Sequence, residues 1–180
     1  MNNIKMIAPC LFGVESIAAD EFRRMGFESV TAENGRVLLE GDFNMLARAN
    51  INSRFAERIL IDMGQFSAVT FTELFDGVKA LPWENFINSA LHSIPDCQSI
   101  IKKAIVDRLS AKYGIKWFSE TGAEYKIRFT IIKDNVTIAI DTSGEGLHKR
   151  GYRRNSNDAP LKETLGAAMC DLARIFPDTH

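Results

Sequence analysis

The order in which the hydrophobic period changes along the first 66 residues limits this chain to very few folds. Ile4-Lys5-Met6-Ile7 reads as a short strand, and Pro9 and Gly13 then break the pattern. Val14, Ile17, Ala18, Phe22 and Met25 recur at helical spacing, and Gly26 supplies a stop. Residues 29–32 and 36–39 read as two strands joined through Glu33-Asn34-Gly35, an Asn-Gly turn signal. Asp42 is placed to cap a helix running through Ala49, and residues 58–63 read as a fourth strand. A strand-helix-strand-strand-helix-strand order can bury one apolar sheet face under two helices.

That order predicts a ferredoxin-like subdomain over residues 1–66. A second unit opens near Thr70, a capping-box candidate with Glu73 three residues on, and its first helix runs to about Lys79 before Leu81-Pro82-Trp83. Pro95-Asp96-Cys97-Gln98 opens a helix whose stripe is Ile101, Ala104, Ile105 and Leu109, with Gly114 at its stop. Residues 124–133 and 136–140 read as a hairpin with Asp134-Asn135 as the two-residue turn. Tyr125, Ile127, Phe129 and Ile131 share one face of it. A glycine-containing basic loop over 142–157 follows, then a helix over 160–175. The fold class is α+β.

Composition narrows the partners. The net charge is −1, yet residues 97–154 carry 12 Lys and Arg against 6 Asp and Glu, so a near-neutral total hides a basic second half. That asymmetry suits an anionic partner, although scattered surface lysines give the same count. Three widely spaced cysteines, Cys10, Cys97 and Cys170, predict neither a disulfide framework nor a metal site and fit a reducing compartment. No apolar run reaches the length of a membrane span, and no signal-peptide core opens the chain. These readings place the protein in the cytoplasm.

Two segments carry possible chemistry. Asp141-Thr142-Ser143-Gly144-Glu145-Gly146 follows a strand and looks like a cofactor turn, but such turns need a helix N-terminus directly after them. The residues that follow, Leu147-His148-Lys149-Arg150-Gly151-Tyr152-Arg153-Arg154, are basic and glycine-interrupted. Within that run His148, Lys149, Arg150, Tyr152, Arg153 and Arg154 combine phosphate-binding cations with rings able to stack on an unpaired base. The bland alternative is a solvated linker. Lys102 and Lys103 sit early in a helix, where positive charge opposes the helix dipole unless an anion binds there; the bland alternative is two surface lysines. No histidine is spaced to serve Cys97 as a base, so no catalytic set emerges. Trp83, Trp117 and Phe118 read as core or rim aromatics.

Several longer stretches resemble the N-terminal part of bacterial THUMP-domain RNA methyltransferases, the group that includes the 23S ribosomal RNA guanine-N2 methyltransferases. They are Asn34-Gly35-Arg36-Val37, Ala47-Arg48-Ala49-Asn50, Leu74-Phe75-Asp76-Gly77-Val78-Lys79-Ala80-Leu81-Pro82-Trp83, and Ser93-Ile94-Pro95-Asp96-Cys97-Gln98-Ser99-Ile100-Ile101-Lys102-Lys103-Ala104. The most specific are Asp141-Thr142-Ser143-Gly144-Glu145-Gly146-Leu147-His148-Lys149-Arg150-Gly151-Tyr152-Arg153 and Ala159-Pro160-Leu161-Lys162-Glu163-Thr164-Leu165.

The resemblance implies a THUMP RNA-binding domain over 67–157 after the ferredoxin-like subdomain. It implies that residues 158–180 are a linker and the first helix of a Rossmann-like methyltransferase domain absent from this chain. S-adenosylmethionine is the cofactor of the parent family. Neither a cofactor turn nor the family's Asn/Asp-Pro-Pro-aromatic motif occurs here, so the expectation is a fragment with no catalytic residue, cofactor or metal of its own. The family's connection between Trp83-Glu84 and His92-Ser93 is usually longer than here. The expected partner is RNA, 23S ribosomal RNA in particular, with no DNA and no membrane. RNA contacts are expected from Gln98, Lys102, Lys103, His148, Lys149, Arg150, Tyr152, Arg153 and Arg154. A protein-interaction module, or a stand-alone enzyme using residues 141–146 as its cofactor turn, are the competing expectations.

Overall fold

The computed structural model describes residues 3–87, 99–115, 124–151 and 160–175. They divide into two compact units, one from Met1–Ile61 with Thr142–His180, the other from Asp62–Asp141.

In the first unit the sequence periods become β1 (Ile4–Pro9), α1 (Glu15–Arg24), β2 (Ser29–Glu33), β3 (Arg36–Gly41), α2 (Phe43–Asn52) and the start of β4 (Leu60–Ser67). The strand order is β2-β3-β1-β4. β1 lies antiparallel to β3 from Ile4↔Gly41 to Pro9↔Arg36 and meets β4 at Met6↔Ile61 and Ile7↔Leu60. This is the ferredoxin-like order: each helix carries the chain over one sheet face, and β1 and β3 end up central. Gly35 takes φ 71 at the β2–β3 turn, a left-handed position that glycine fills without strain. Asp42 caps α2 as its sequence predicts, its carboxylate accepting from the Met45 N–H at 2.8 Å. The core gathers Met6, Ala8, Phe22, Val37, Leu39, Ala49, Phe55 and Ile59. Each large apolar side chain so buried stabilises the fold by about 1.5–3 kcal/mol. Phe22 meets Phe27 edge to face at 5.7 Å.

β4 corrects the predicted strand. It spans Leu60–Ser67 rather than 58–63, because its outer half belongs to the second unit, where backbone pairing and not apolar alternation sustains it. There β4, β6 (Asn135–Asp141) and β5 (Lys126–Ile132) lie in the order β4-β6-β5. Two helices complete that unit: α3 (Phe71–Ala80), with the predicted Thr70/Glu73 capping box, and α4 (Ser99–Tyr113). The core holds Leu74, Val78, Ile101, Ala104, Ile105, Leu109, Ile127, Ile138 and Ile140. Trp83 is fully buried there, with Nε1 donating to the Val78 carbonyl at 2.8 Å.

The hairpin turn is Lys133-Asp134, at φ 49 and φ 62, and not Asp134-Asn135. Asn135 pairs with Ile132, which sets Ile127 against Ile140, Phe129 against Ile138 and Ile131 against Val136. A turn one residue later would have placed Ile127 opposite Thr142 and lost an apolar pair from the core face. The last helix, α5 (Glu163–Leu172), is shorter than the predicted 160–175 because Lys162, at ψ 137, is still extended.

Candidate nucleic-acid interface

The glycine loop after β6 is built into the first unit by its own polar groups. Thr142 donates its N–H (3.2 Å) and its hydroxyl (2.7 Å) to the Ile59 carbonyl. Ser143 accepts from the Ile59 N–H at 2.8 Å. Asn50, on α2, joins both hydroxyls: Nδ2 donates to Thr142 Oγ1 at 2.9 Å, and Oδ1 accepts from Ser143 Oγ at 2.7 Å. Arg58 then donates to the Gly144 carbonyl and the Leu147 N–H to the Glu57 carbonyl, both at 2.8 Å. A cofactor turn needs its donors free to face a ligand. Here the Thr142 and Leu147 N–H groups and both hydroxyls bind the chain itself, and Leu147 and His148 form a turn rather than a helix start, so this loop lacks the helix N-terminus a cofactor turn relies on.

Arg150 closes the same construction. Its guanidinium donates to the carbonyls of Asn50 (2.9 Å), Ile51 (2.6 Å) and Ser53 (2.7 Å), the unpaired acceptors at the C-terminal end of α2. A cation there is doubly favourable, as a hydrogen-bond donor and as a charge at the negative end of the helix dipole. Arg150, expected to hold phosphate, has its guanidinium bonded to the end of α2 in this structure. Its own N–H donates to Glu163 at 3.2 Å, and Lys162 pairs with Glu57 at 2.6 Å, so the start of α5 is tied to the same region.

His148 is half-buried, with its Nδ1 enclosed and unpartnered. The ring folds over Gly146, where a Cβ would come within 2.6 Å of it and the ring would have to shift. Lys149 is exposed. Lys102 and Lys103 are adjacent and exposed on α4, with no ion pair to another described residue. Gln98, Tyr152, Arg153 and Arg154 lie outside the described residues, as do Cys97, Trp117 and Phe118. The groove between α3 and α4, about 540 Å³, is lined by Asp76, Lys79, Glu84, Arg108 and Lys112. Most of its charge is already paired. Arg108 grips both Glu84 oxygens (3.0 and 2.8 Å) and the carbonyls of Lys79 and Ala80, and Lys79 meets Asp107 at 3.3 Å. The Arg108 guanidinium holds the Glu84 carboxyl down to about 2.

The described cysteines are both free, Cys10 buried and Cys170 exposed. Burial, with Glu15 and Glu57 nearby, pushes the Cys10 thiol up to about 11, far from thiolate chemistry at neutral pH. No three His, Cys, Asp or Glu side chains among the described residues gather as metal ligands. No described helix is long and apolar enough to cross a membrane.

Sequence comparison matches residues 5–60 to the RlmL ferredoxin-like domain and residues 68–141 to the THUMP domain. The chain carries a ferredoxin-like domain of the RlmL type followed by a THUMP domain. "Putative RNA methyltransferase YpsC" of Bacillus subtilis (strain 168) is 43% identical over 193 positions, 99% of this chain and 50% of that protein. Proteins named ribosomal RNA large subunit methyltransferase K/L match at 29 to 34% identity. The crystal structure of a "predicted N6-adenine-specific DNA methylase" from Listeria monocytogenes str. 4b F2365 superposes with a TM-score of 0.86 at 43% identity, over 98% of this chain and 49% of that one. "SMU.472, a putative methyltransferase complexed with SAH" superposes with a TM-score of 0.88 at 37% identity, over 99% and 51%. The chain spans about half the length of the Bacillus, Listeria and SMU.472 proteins and about a quarter of the K/L proteins.

The structural roles of two residues were hidden in the sequence. Asn50 and Arg150 stand in the stretches that resemble the family, but their partners lie about a hundred positions away and only the fold brings them together.

Proposed function

We propose that this chain is the RNA-binding portion of an S-adenosylmethionine-dependent ribosomal RNA methyltransferase of guanine-N2 specificity, working in the cytoplasm on 23S ribosomal RNA. The exposed Lys102–Lys103 pair on the THUMP helix α4, without an ion pair among the described residues, is the observation that carries the reading. Two adjacent exposed cations suit a phosphate backbone. Lys149 adds a third exposed cation on the first unit, and Arg153 and Arg154, with Tyr152 and Gln98, supply further contacts by sequence. Methyl transfer, and S-adenosylmethionine with it, belongs in this proposal to the rest of the enzyme. The part described here holds RNA in the geometry that transfer requires.

The test is titration of the purified chain with 23S ribosomal RNA fragments across a range of salt. A few phosphate contacts to single-stranded RNA give a log–log slope between about −2 and −4. Duplex DNA of matched charge is the control, because the Listeria relative carries a DNA-methylase name. A salt-independent interaction with protein, or tighter binding of DNA than of RNA, overturns the proposal.

A further inference from the structure

We infer that Phe12, in the loop between β1 and α1, is a stacking platform for an unpaired base of single-stranded RNA, which gives the first unit its own contact with nucleic acid. The inference rests on the RNA-binding reading proposed above. Phe12 is 83% exposed, more than any other large apolar side chain among the described residues. It is also pinned. Glu15 accepts from the Gly13 N–H at 2.8 Å and from the Gly35 N–H at 2.9 Å, so one carboxylate ties the loop to the β2–β3 turn. The Cys10 N–H donates to the Gly35 carbonyl at 2.9 Å, and the Val14 N–H to the Leu11 carbonyl at 3.1 Å. The ring is seated over Gly35, where a Cβ would come within 3.2 Å of it. A ring fixed in place before binding loses little conformational freedom when a ligand covers it.

The surroundings suit a nucleotide. Gly13, Ser16 and Asn34, which flank the ring on its own two segments, are exposed and small or polar. Cations gather at the same end of the unit. Arg36 follows the glycine that seats the ring and pairs with Pro9 across the strands. The Glu57 N–H donates to the Pro9 carbonyl at 2.7 Å, and the Leu147 N–H to the Glu57 carbonyl at 2.8 Å. That ladder brings the turn carrying the exposed Lys149 to this end, and Lys162 is held there by Glu57. The acids at this end are occupied: Glu15 by the two glycine amides, Glu33 by Arg36 and Glu57 by Lys162. An aromatic face beside cations is the arrangement that holds single strands, because the ring accepts the face of any base while the cations follow the backbone.

The experiment is titration of the full chain with a short single-stranded oligouridylate at several salt concentrations, repeated on Phe12→Ala, Phe12→Leu and Phe12→Tyr. Phe12→Ala should weaken binding about tenfold. Its melt should match the parent's, since no buried group is lost, and so should its log–log salt slope, since no phosphate contact is lost. Phe12→Leu should weaken binding comparably, because it keeps apolar area but no aromatic face, whereas Phe12→Tyr should bind like the parent. Iodouridine placed in the same RNA should photocrosslink to Phe12 of the parent chain. Parent-like binding by Phe12→Ala, or by Phe12→Leu, overturns the inference and leaves the RNA-binding reading standing. So does a crosslink map without Phe12. A Phe12→Ala variant that binds RNA normally but sediments differently from the parent overturns it in favour of a protein contact. A parent chain that binds no RNA overturns the inference together with the reading beneath it.

Discussion

Asn50 and Ser143, 93 positions apart, share a 2.7 Å hydrogen bond in which the serine hydroxyl donates to the amide oxygen. The same amide donates to Thr142, and both hydroxyls meet the backbone of Ile59. One side chain thus joins the end of α2, the approach to β4 and the loop after β6. The Asp-x-x-Gly-x-Gly pattern is here a structural clasp.

Asn50→Ala should destabilise the protein by about 1–3 kcal/mol, because it removes three side-chain bonds, to the Leu46 carbonyl, Thr142 and Ser143, and leaves partly buried hydroxyls to find other partners. Asn50→Asp should cost less at the Ser143 side, where an acceptor remains, than at the Thr142 side, where the donor is lost. Urea unfolding of the two variants measures this. Equal stability of Asn50→Ala and the parent chain would show that the clasp contributes nothing.

Arg150 should behave as a stability residue before it behaves as an RNA residue. Arg150→Gln removes three charge-assisted bonds to the end of α2 and should cost roughly 1.5–3 kcal/mol. Arg150→Lys should recover only part of this, since one ammonium cannot span three carbonyls in the geometry of a planar guanidinium. Thermal melts rank the three proteins. A variant that melts like the parent but loses RNA would return Arg150 to the phosphate-binding set.

Lys102→Gln with Lys103→Gln should do the reverse. Both side chains are exposed and unpaired among the described residues, so folding should be unchanged within about 0.5 kcal/mol. RNA affinity should fall, each lost phosphate contact costing roughly 1.5–3 kcal/mol at low salt. A melt and an RNA titration on the double variant decide the matter. Parent-like affinity would remove both lysines from the interface.

Acid should weaken the second unit through Glu84. Its carboxyl has an ordinary value of 4.5 and is held at about 2 by Arg108 in the folded chain. A carboxylate whose pKa falls on folding stabilises the folded state above the unfolded value, and that contribution is lost as pH falls through the folded one. The Glu84 contribution should therefore be complete above about pH 4.5 and fade towards pH 2. Glu84→Gln should be less stable than the parent at neutral pH and lose less on acidification through this window. Melts from pH 7 to pH 2.5 test it; parallel pH profiles for the two proteins would rule the contribution out.

Local order and period were sufficient for most elements, and the reasons are local. Asp42 and Thr70 announce α2 and α3 because a capping side chain bonds within its own helix turn. Phe22, Leu39 and Ile105 announce the cores because helix and strand periods bring apolar residues to one side. The βαββαβ order then leaves little choice of sheet. The outer half of β4 was not legible, since Gly64-Gln65-Phe66-Ser67 has no apolar alternation and is held by its neighbours' backbone. The hairpin turn was displaced by one residue because the pairing that keeps Ile127 opposite Ile140 outweighed the preference for an Asp-Asn turn.

The sequence by itself determined the order of elements, the helix caps, the basic bias of the second half and the family resemblance, all of which depend on neighbouring residues or on composition. Only the tertiary structure decided which polar side chains are free. Arg150 and Lys102 look alike in a sequence, as cations near glycine or early in a helix. One has three carbonyls delivered to it from α2, and the other has none among the described residues. Glu21 is the plainest case. It sits on the α1 stripe as an ordinary surface acid would, yet it is buried, accepting from the Ser53 hydroxyl at 2.9 Å and from the Arg54 N–H. A carboxylate can remain buried only where donors converge on it, and that convergence is a property of the fold, which no window of sequence contains.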